Sequence, residues 1–237
     1  MSVAGLHLLQ LVSPALPVGA FSYSEGLEVL VQAGTITTAA ALQDWLEAEL
    51  RRGGIGIEAA ALRPLQEALR QHRLLAAAEQ GAAAESERAQ QARAALVDLD
   101  GWLLAQREAA ELRAQQRQMG RSLLQLLAQL GWPLQPAVEL AWPAAWAWAG
   151  LCLELPLGQL VEAYLYGWCA NQISAAVRLV PLGPTQGQRL QLALAPLLVE
   201  RSRELAMADP REQWSGGIGA GLSQLHHAEL YSRLFRS

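Results

Sequence analysis

The sequence predicts an all-α protein, a single-domain helical bundle, on three observations. Apolar residues recur at three- and four-residue spacing over long stretches, as in Leu42, Trp45, Leu46 and Leu50 or Met119, Leu123, Leu126, Leu127 and Leu130. Gly, Pro and Ser or Thr punctuate these stretches where helices start and stop. No alternating run bounded by turn residues reads as a strand, and no unit repeats.

In chain order, Leu6 to Val12 is a short apolar run stopped by Ser13, Pro14 and Pro17, since proline drives the residue before it to an extended conformation. A loop follows, and a helix capped by Ser22 or Ser24 runs through Glu28 and Leu30 to Gly34, a residue suited to a left-handed C-terminal turn. Thr37 or Thr38 caps the next helix, which Gly53 and Gly54 end. Ile57 to Gln80 is helical, with Pro64 near its first turn or kinking it, and Gly81 breaks it.

Residues 82–121 are rich in Ala, Gln, Arg and Glu, with Leu96, Leu99, Trp102 and Leu103 on one stripe. Arg107 to Gln118 is nearly all polar and reads as a solvated helix face. The stripe opened by Met119 closes at Gly131 and Pro133. AWPAAWAWAGLCLEL, apolar on every side, predicts a central helix. Leu160, Tyr164 and Trp168 continue the buried pattern after Pro156, and Arg178 favours the end of that helix. PLGPTQG reads as a turn, and Arg189 to Met207 as a helix interrupted by Pro196. Trp214 and SGGIGAG form a flexible hinge before the last residues. The expected division is therefore a helical body over 1–214 and a hinge with a tail over 215–237.

Composition bounds the function. The chain of 237 residues carries a net charge of -4 and no basic stripe, which argues against nucleic acid as a partner. It has no Lys, which excludes a P-loop lysine or a Schiff base. Only 17% of residues are charged and 52% are apolar, as expected where surface is hidden against a partner or a second copy, or where an all-helical core is large. Cys152 and Cys169 lie in apolar surroundings without CxxC spacing, so packing roles in a reducing compartment are expected. No basic residue precedes Arg51, so no targeting signal is read and a cytoplasmic protein is expected. The apolar stretches are too short or too polar to span a bilayer.

Catalytic chemistry is not legible. The four histidines are His7, His72, His226 and His227, with no HExxH, and adjacent histidines on a helix point about 100° apart, so no metal site and no cofactor are expected. His227 reads as a surface or interface histidine. Glu25 and Glu28 share a helical face but fit a capping or first-turn role better than acid–base work. The Gly-rich WSGGIGAG lacks a dinucleotide fingerprint, and no Ser sits in a nucleophile elbow.

The aromatic residues point elsewhere. Of two Phe and four Tyr, Phe21 and Tyr23 lie in SPALPVGAFSYSEGLE, and Tyr231 and Phe235 lie in the terminal LHHAELYSRLFRS. Tyr and Arg often anchor interfaces, which makes Tyr231, Arg233, Phe235 and Arg236 candidate partner-binding residues. The bland alternative is a tail docked on its own core.

LLQLVSPALPVGAFSYSEGLE (Leu8 to Glu28), MGRSLL (Met119 to Leu124), AAVRLVPLG (Ala175 to Gly183) and the terminal YSRLFRS, in this order, resemble the UreF family of urease accessory proteins. The resemblance implies a non-enzymatic, all-α homodimer that binds the accessory protein UreD (UreH) and recruits the GTPase UreG. The assembly then docks on the urease apoprotein so that nickel enters its active site. It places Tyr23, Ser24, Glu28, Arg178, His227, Tyr231, Arg233, Phe235 and Arg236 among partner-binding positions. Pro14, Pro17, Gly19, Gly26 and Gly183 fall at structural loop positions. The sequence departs from the family pattern at Glu25, Pro184 and Ala228. Two further expectations compete with the adaptor. One is a regulator that speeds GTP hydrolysis by UreG through a tail arginine; the other is a monomeric ligand-binding protein with an apolar pocket lined by Trp142, Trp146 and Trp168.

Overall fold

The computed structural model describes residues 2–78 and 83–237, and their side chains apart from those of 76–86; the expected break at Gly81 lies outside the described residues. The regular elements among the described residues are all helices, without a strand. The helices are α1 (Val3–Leu11), α2 (Leu27–Gln32), α3 (Ala39–Arg52), α4 (Gly54–Ala78), α5 (Ala83–Ala105), α6 (Ala110–Gln129), α7 (Trp142–Cys152), α8 (Leu157–Leu179), α9 (Pro184–Leu205) and α10 (Ile218–His226).

Local chemistry explains most boundaries. Thr38 caps α3, its side chain accepting the Ala41 amide at 3.2 Å, and Arg51 and Arg52 occupy the last turn where cations suit the helix dipole. Leu42, Leu46 and Leu50 are buried from that helix, as their spacing requires. Gly54 opens α4, three residues before the expected start, and Pro64 lies inside α4. Pro184 is in the first turn of α9, where its missing N–H costs nothing, so the helix starts within the stretch read as a turn. Pro196 lies inside α9.

At the centre, α4 packs against α3, α5, α7, α8 and α9, and α7 is seated between α4, α6 and α8. Pro143 to Gly150 of α7 are buried around the helix, and the indole N–H groups of Trp146 and Trp148 donate to the carbonyls of Leu160 and Trp132. Gly120 of α6 allows the Leu140–Ala141 backbone to approach closely, where any Cβ would collide. Asp100 of α5 tethers the same segment by accepting the Ala141 amide at 3.0 Å.

Two expectations fail in ways that bear on function. The polar stretch Arg107 to Gln118 is not a solvated face: Arg107, Gln115 and Gln116 are buried. The glycine-rich stretch after Trp214 contains α10, which packs against α2 and α6.

A C-terminal tail docked on the N-terminal segment

The N-terminal segment turns twice in left-handed conformation, at Gly19 (φ 76°) and at Glu25 and Gly26 (φ 51° and 88°). Gly19 precedes a short 3₁₀ turn at Ala20–Ser22, and Gly26 precedes α2. The helix expected from Ser22 or Ser24 thus shortens to Leu27–Gln32, and neither serine caps it. A Cβ on Gly26 would lie 2.9 Å from the Gln224 amide nitrogen, so glycine here serves both the turn and the close approach of α10.

The turn at Ser24 and Glu25 directs two backbone amides at one acceptor. The Ser237 carbonyl accepts the amides of Ser24 (2.6 Å) and Glu25 (3.0 Å) and the Ser24 hydroxyl (2.7 Å). One residue back, the Arg236 amide donates to the Ser22 carbonyl at 2.9 Å. The Ser237 hydroxyl donates to Gln115 at 2.6 Å, and Gln115 in turn donates to the Glu25 carboxylate at 2.7 Å. Trp168 donates to the other Glu25 oxygen, and Asn171 to the Tyr23 carbonyl.

Glu28 has a larger role than the capping or first-turn one expected. Its buried carboxylate accepts the amides of Leu234 (2.7 Å) and Phe235 (3.1 Å), backbone donors that would otherwise be stranded as the tail leaves water. The same carboxylate lies 3.3 Å from His227 Nε2, while His227 Nδ1 lies 2.8 Å from Glu111 of α6. His227 is fully buried rather than at the surface, and only the neighbouring His226 is exposed. The two carboxylates flank opposite edges of one ring and cannot converge on a single ion. Among the described residues no cluster of three or more His, Cys, Asp or Glu is arranged to hold a metal.

The remaining tail candidates divide by exposure. Phe235 is buried, with the Arg178 guanidinium 4.6 Å from its ring centroid, and Arg178 also donates to the Phe21 carbonyl. Arg233 pairs with Glu111 at 2.6 Å, half-exposed. Arg236 is exposed. Tyr231 stands wholly in solvent, at 106% relative exposure. Pro14 and Pro17 are exposed in the loop after α1, and Gly183 sits before α9, its amide donating to the Gln186 side chain. Arg178, Phe235, His227, Glu28, Ser24 and Tyr23 therefore meet in one place, whereas Tyr231, Arg236 and the loop prolines face outward and Gly183 lies apart.

Sequence reasoning missed Gln115 and Glu111, the α6 side chains that grip the tail. Their one signal was their position within a polar stretch directly followed by a strongly apolar stripe.

Below the tail, Glu58 of α4 binds Arg107 at 2.6 Å and accepts from Gln116 and from the Tyr164 hydroxyl. Burial pushes the Glu58 carboxyl up, with Arg107 opposing it. Burial works against the charge on Arg107, but Glu58 and then Glu25 hold its pKa above the ordinary value. The two cysteine thiols are pushed up by burial to about 12, which leaves them unreactive packing groups.

The outer face of the docked tail carries several large apolar side chains among exposed polar ones. Ile218, Leu222 and Leu225 recur at i, i+4 and i+7 on α10 and are all exposed, as are Trp214, Tyr231 and Leu234. No described helix is long and apolar enough to cross a membrane.

Comparison with known proteins places this geometry in context. Residues 36–195 match the model of the UreF family. A urease accessory protein UreF of Alkalilimnicola ehrlichii is 41% identical over 99% of the chain and 96% of its own length. Proteins of the same description from Nostoc sp. (39% identical, 98% of the chain, 95% of the relative) and Microcystis aeruginosa (41%, 98% and 97%) are similarly close.

Proposed function

The chain belongs to the UreF family of urease accessory proteins, and from that premise we propose that it acts as a non-enzymatic adaptor in urease maturation. In this reading the protein bridges UreD (UreH) and the GTPase UreG and presents both to the urease apoprotein, so that GTP-dependent nickel insertion follows. The nickel is cargo, and the GTP chemistry belongs to UreG. The adaptor works as a homodimer in the cytoplasm.

The observation that carries the proposal is the outward face of the docked tail. Contiguous exposed apolar patches on a protein surface mark partner-binding sites, and Ile218, Leu222, Tyr231 and Leu234 are all exposed on this one segment. Here the inner face of the same segment is held by buried hydrogen bonds to Ser24 and Glu28, so the apolar residues are displayed on a fixed backbone. Preorganisation of this kind lowers the ordering cost of association.

Calorimetry with UreD tests the reading. Tyr231→Ala, at a position without packing to lose, is expected to weaken binding by about 2–4 kcal/mol, the range of an interface anchor. Binding equal to wild type would remove Tyr231 from the interface. Arg233→Ala is expected to act in the same range, partly by loosening Glu111.

A second reading, an activator of UreG that inserts a tail arginine, is favoured by one observation: Arg236 is exposed and makes no ion pair among the described residues, whereas Arg233 is committed to Glu111. Single-turnover GTP hydrolysis in the assembled complex separates the two. An Arg236→Ala variant that assembles normally but slows the rate constant by about a thousandfold would establish an arginine finger; an unchanged rate leaves the adaptor.

A further inference from the structure

Two tail side chains of very different exposure end on one carboxylate of α6. Glu111, in the first turn of that helix, meets His227 Nδ1 with one oxygen at 2.8 Å and accepts from Arg233 with the other at 2.6 Å. The imidazole is gripped at its opposite edge by Glu28, 3.3 Å from Nε2. Side-chain exposure rises from 0% at His227 through 28% at Glu111 to 39% at Arg233. A buried, immobile ring is thus tied through a single carboxylate to a cation at the surface.

The tail backbone does not depend on this contact. Glu28 holds the amides of Leu234 and Phe235, the turn at Ser24 and Glu25 holds the Ser237 carbonyl, and Gln32 donates to the Ser232 carbonyl at 3.1 Å. The Arg233 side chain, by contrast, has Glu111 as its only hydrogen-bond or ion-pair partner among the described residues. Loss of Glu111 therefore leaves the tail docked and frees one long side chain, while the half-buried space it vacates admits water to His227 Nδ1.

Freedom at Arg233 matters because a long side chain loses rotamer entropy when a partner immobilises it, and one already held loses less. The guanidinium spends one N–H of Nη1 on Glu111 and keeps its remaining donors for a second acceptor. It lies two residues from Tyr231, which is wholly in solvent. On the adaptor reading, we infer that Glu111 is a positioning residue for partner recognition: it orders Arg233 so that the guanidinium meets an acceptor oxygen on the partner. The recognition apparatus then includes α6 as well as the tail, with Glu111 acting through Arg233 and not by touching the partner.

Two measurements on the full chain test this. The first needs no partner: nitrogen relaxation gives the order parameter of the Arg233 Nε–H bond, expected close to the rigid backbone in wild type and below about 0.6 in Glu111→Ala. Hydrogen exchange at residues 234–236 is expected to stay within about threefold of wild type in the same variant. The second is calorimetry with UreD as a double-mutant cycle. Glu111→Ala is expected to weaken binding about tenfold in the wild-type background and less than about twofold in the Arg233→Ala background. Glu111→Gln, which keeps an acceptor for Arg233, is expected to restore affinity to within about threefold of wild type. Equal order at Arg233 with and without Glu111, or equal losses in both backgrounds, would overturn the positioning role. Lost protection at 234–236 in Glu111→Ala would do the same, by making Glu111 part of the tail anchor. Failure of wild type to bind UreD would instead overturn the adaptor reading and with it the recognition role of Arg233, whereas the relaxation result alone decides whether Glu111 orders that side chain.

Discussion

Glu28 satisfies two backbone amides of the tail and flanks His227, all from a position with almost no solvent contact. Replacing it by Ala strands the Leu234 and Phe235 amides, and a charge-assisted bond to each contributes about 1.5–3 kcal/mol. Glu28→Ala should therefore release residues 227–237 while leaving the helical body folded. Hydrogen exchange is expected to show the amides of residues 234–236 losing protection by at least about a hundredfold, and unchanged protection there would remove Glu28 from this role. A second residue acts through pH. Burial holds the Asp100 carboxyl at about 6, above its ordinary value, despite the bond from the Ala141 amide. The folded state thus binds the proton more tightly than the unfolded chain, and stability contributed by this group is full below pH ~4 and falls as pH rises to about 6. Asp100→Asn keeps an acceptor for Ala141 and is expected to gain on the order of 2–3 kcal/mol over wild type at pH 7 and only about 0.5 kcal/mol at pH 4. Urea titrations at the two pH values check it; a gain independent of pH would contradict the assignment.

Between helices, small residues decide how closely elements meet. Gly26 combines a left-handed backbone with the close approach of Gln224, so Gly26→Ala is expected to cost about 2–4 kcal/mol and to detach α10 from α2. A thermal melt within a degree of wild type would show that the contact relaxes freely. The helices themselves were largely legible in the sequence, because Leu42, Leu46 and Leu50 or Met119, Leu123 and Leu127 can bury one face only as a helix. Boundaries were less so where a glycine or proline could either end one helix or begin the next, as at Gly54 and Pro184. The burial of Gln115 and Gln116 was not legible, since their environment comes from Glu25, Glu58 and Ser237, far away along the chain. For the same reason Ser24 and Glu28 read as helix-start residues, although the groups they bind are tail backbone atoms about two hundred residues later. That the two aromatic-bearing ends matter was visible from composition; that they hold each other was not.

At the scale of the whole molecule, one segment has two faces, one turned inward and one turned to solvent. Phe235, His227 and the Ser237 carbonyl anchor the tail inward, and Ile218, Leu222 and Tyr231 stand outward on the surface so formed. Because the outward residues pack against little, their replacement separates partner binding from folding more cleanly than deletion of the tail, which would also uncover Glu28. The triple variant Ile218→Ser, Leu222→Ser, Tyr231→Ala should melt within a few degrees of wild type, as exposed substitutions do. The most direct measurement is multi-angle light scattering of this variant and of wild type, each mixed with UreD and UreG at micromolar concentration. Wild type is expected to form the three-component assembly, and the folded variant to elute apart from both partners. Full assembly by the folded variant would contradict the claim that the docked tail displays the adaptor surface.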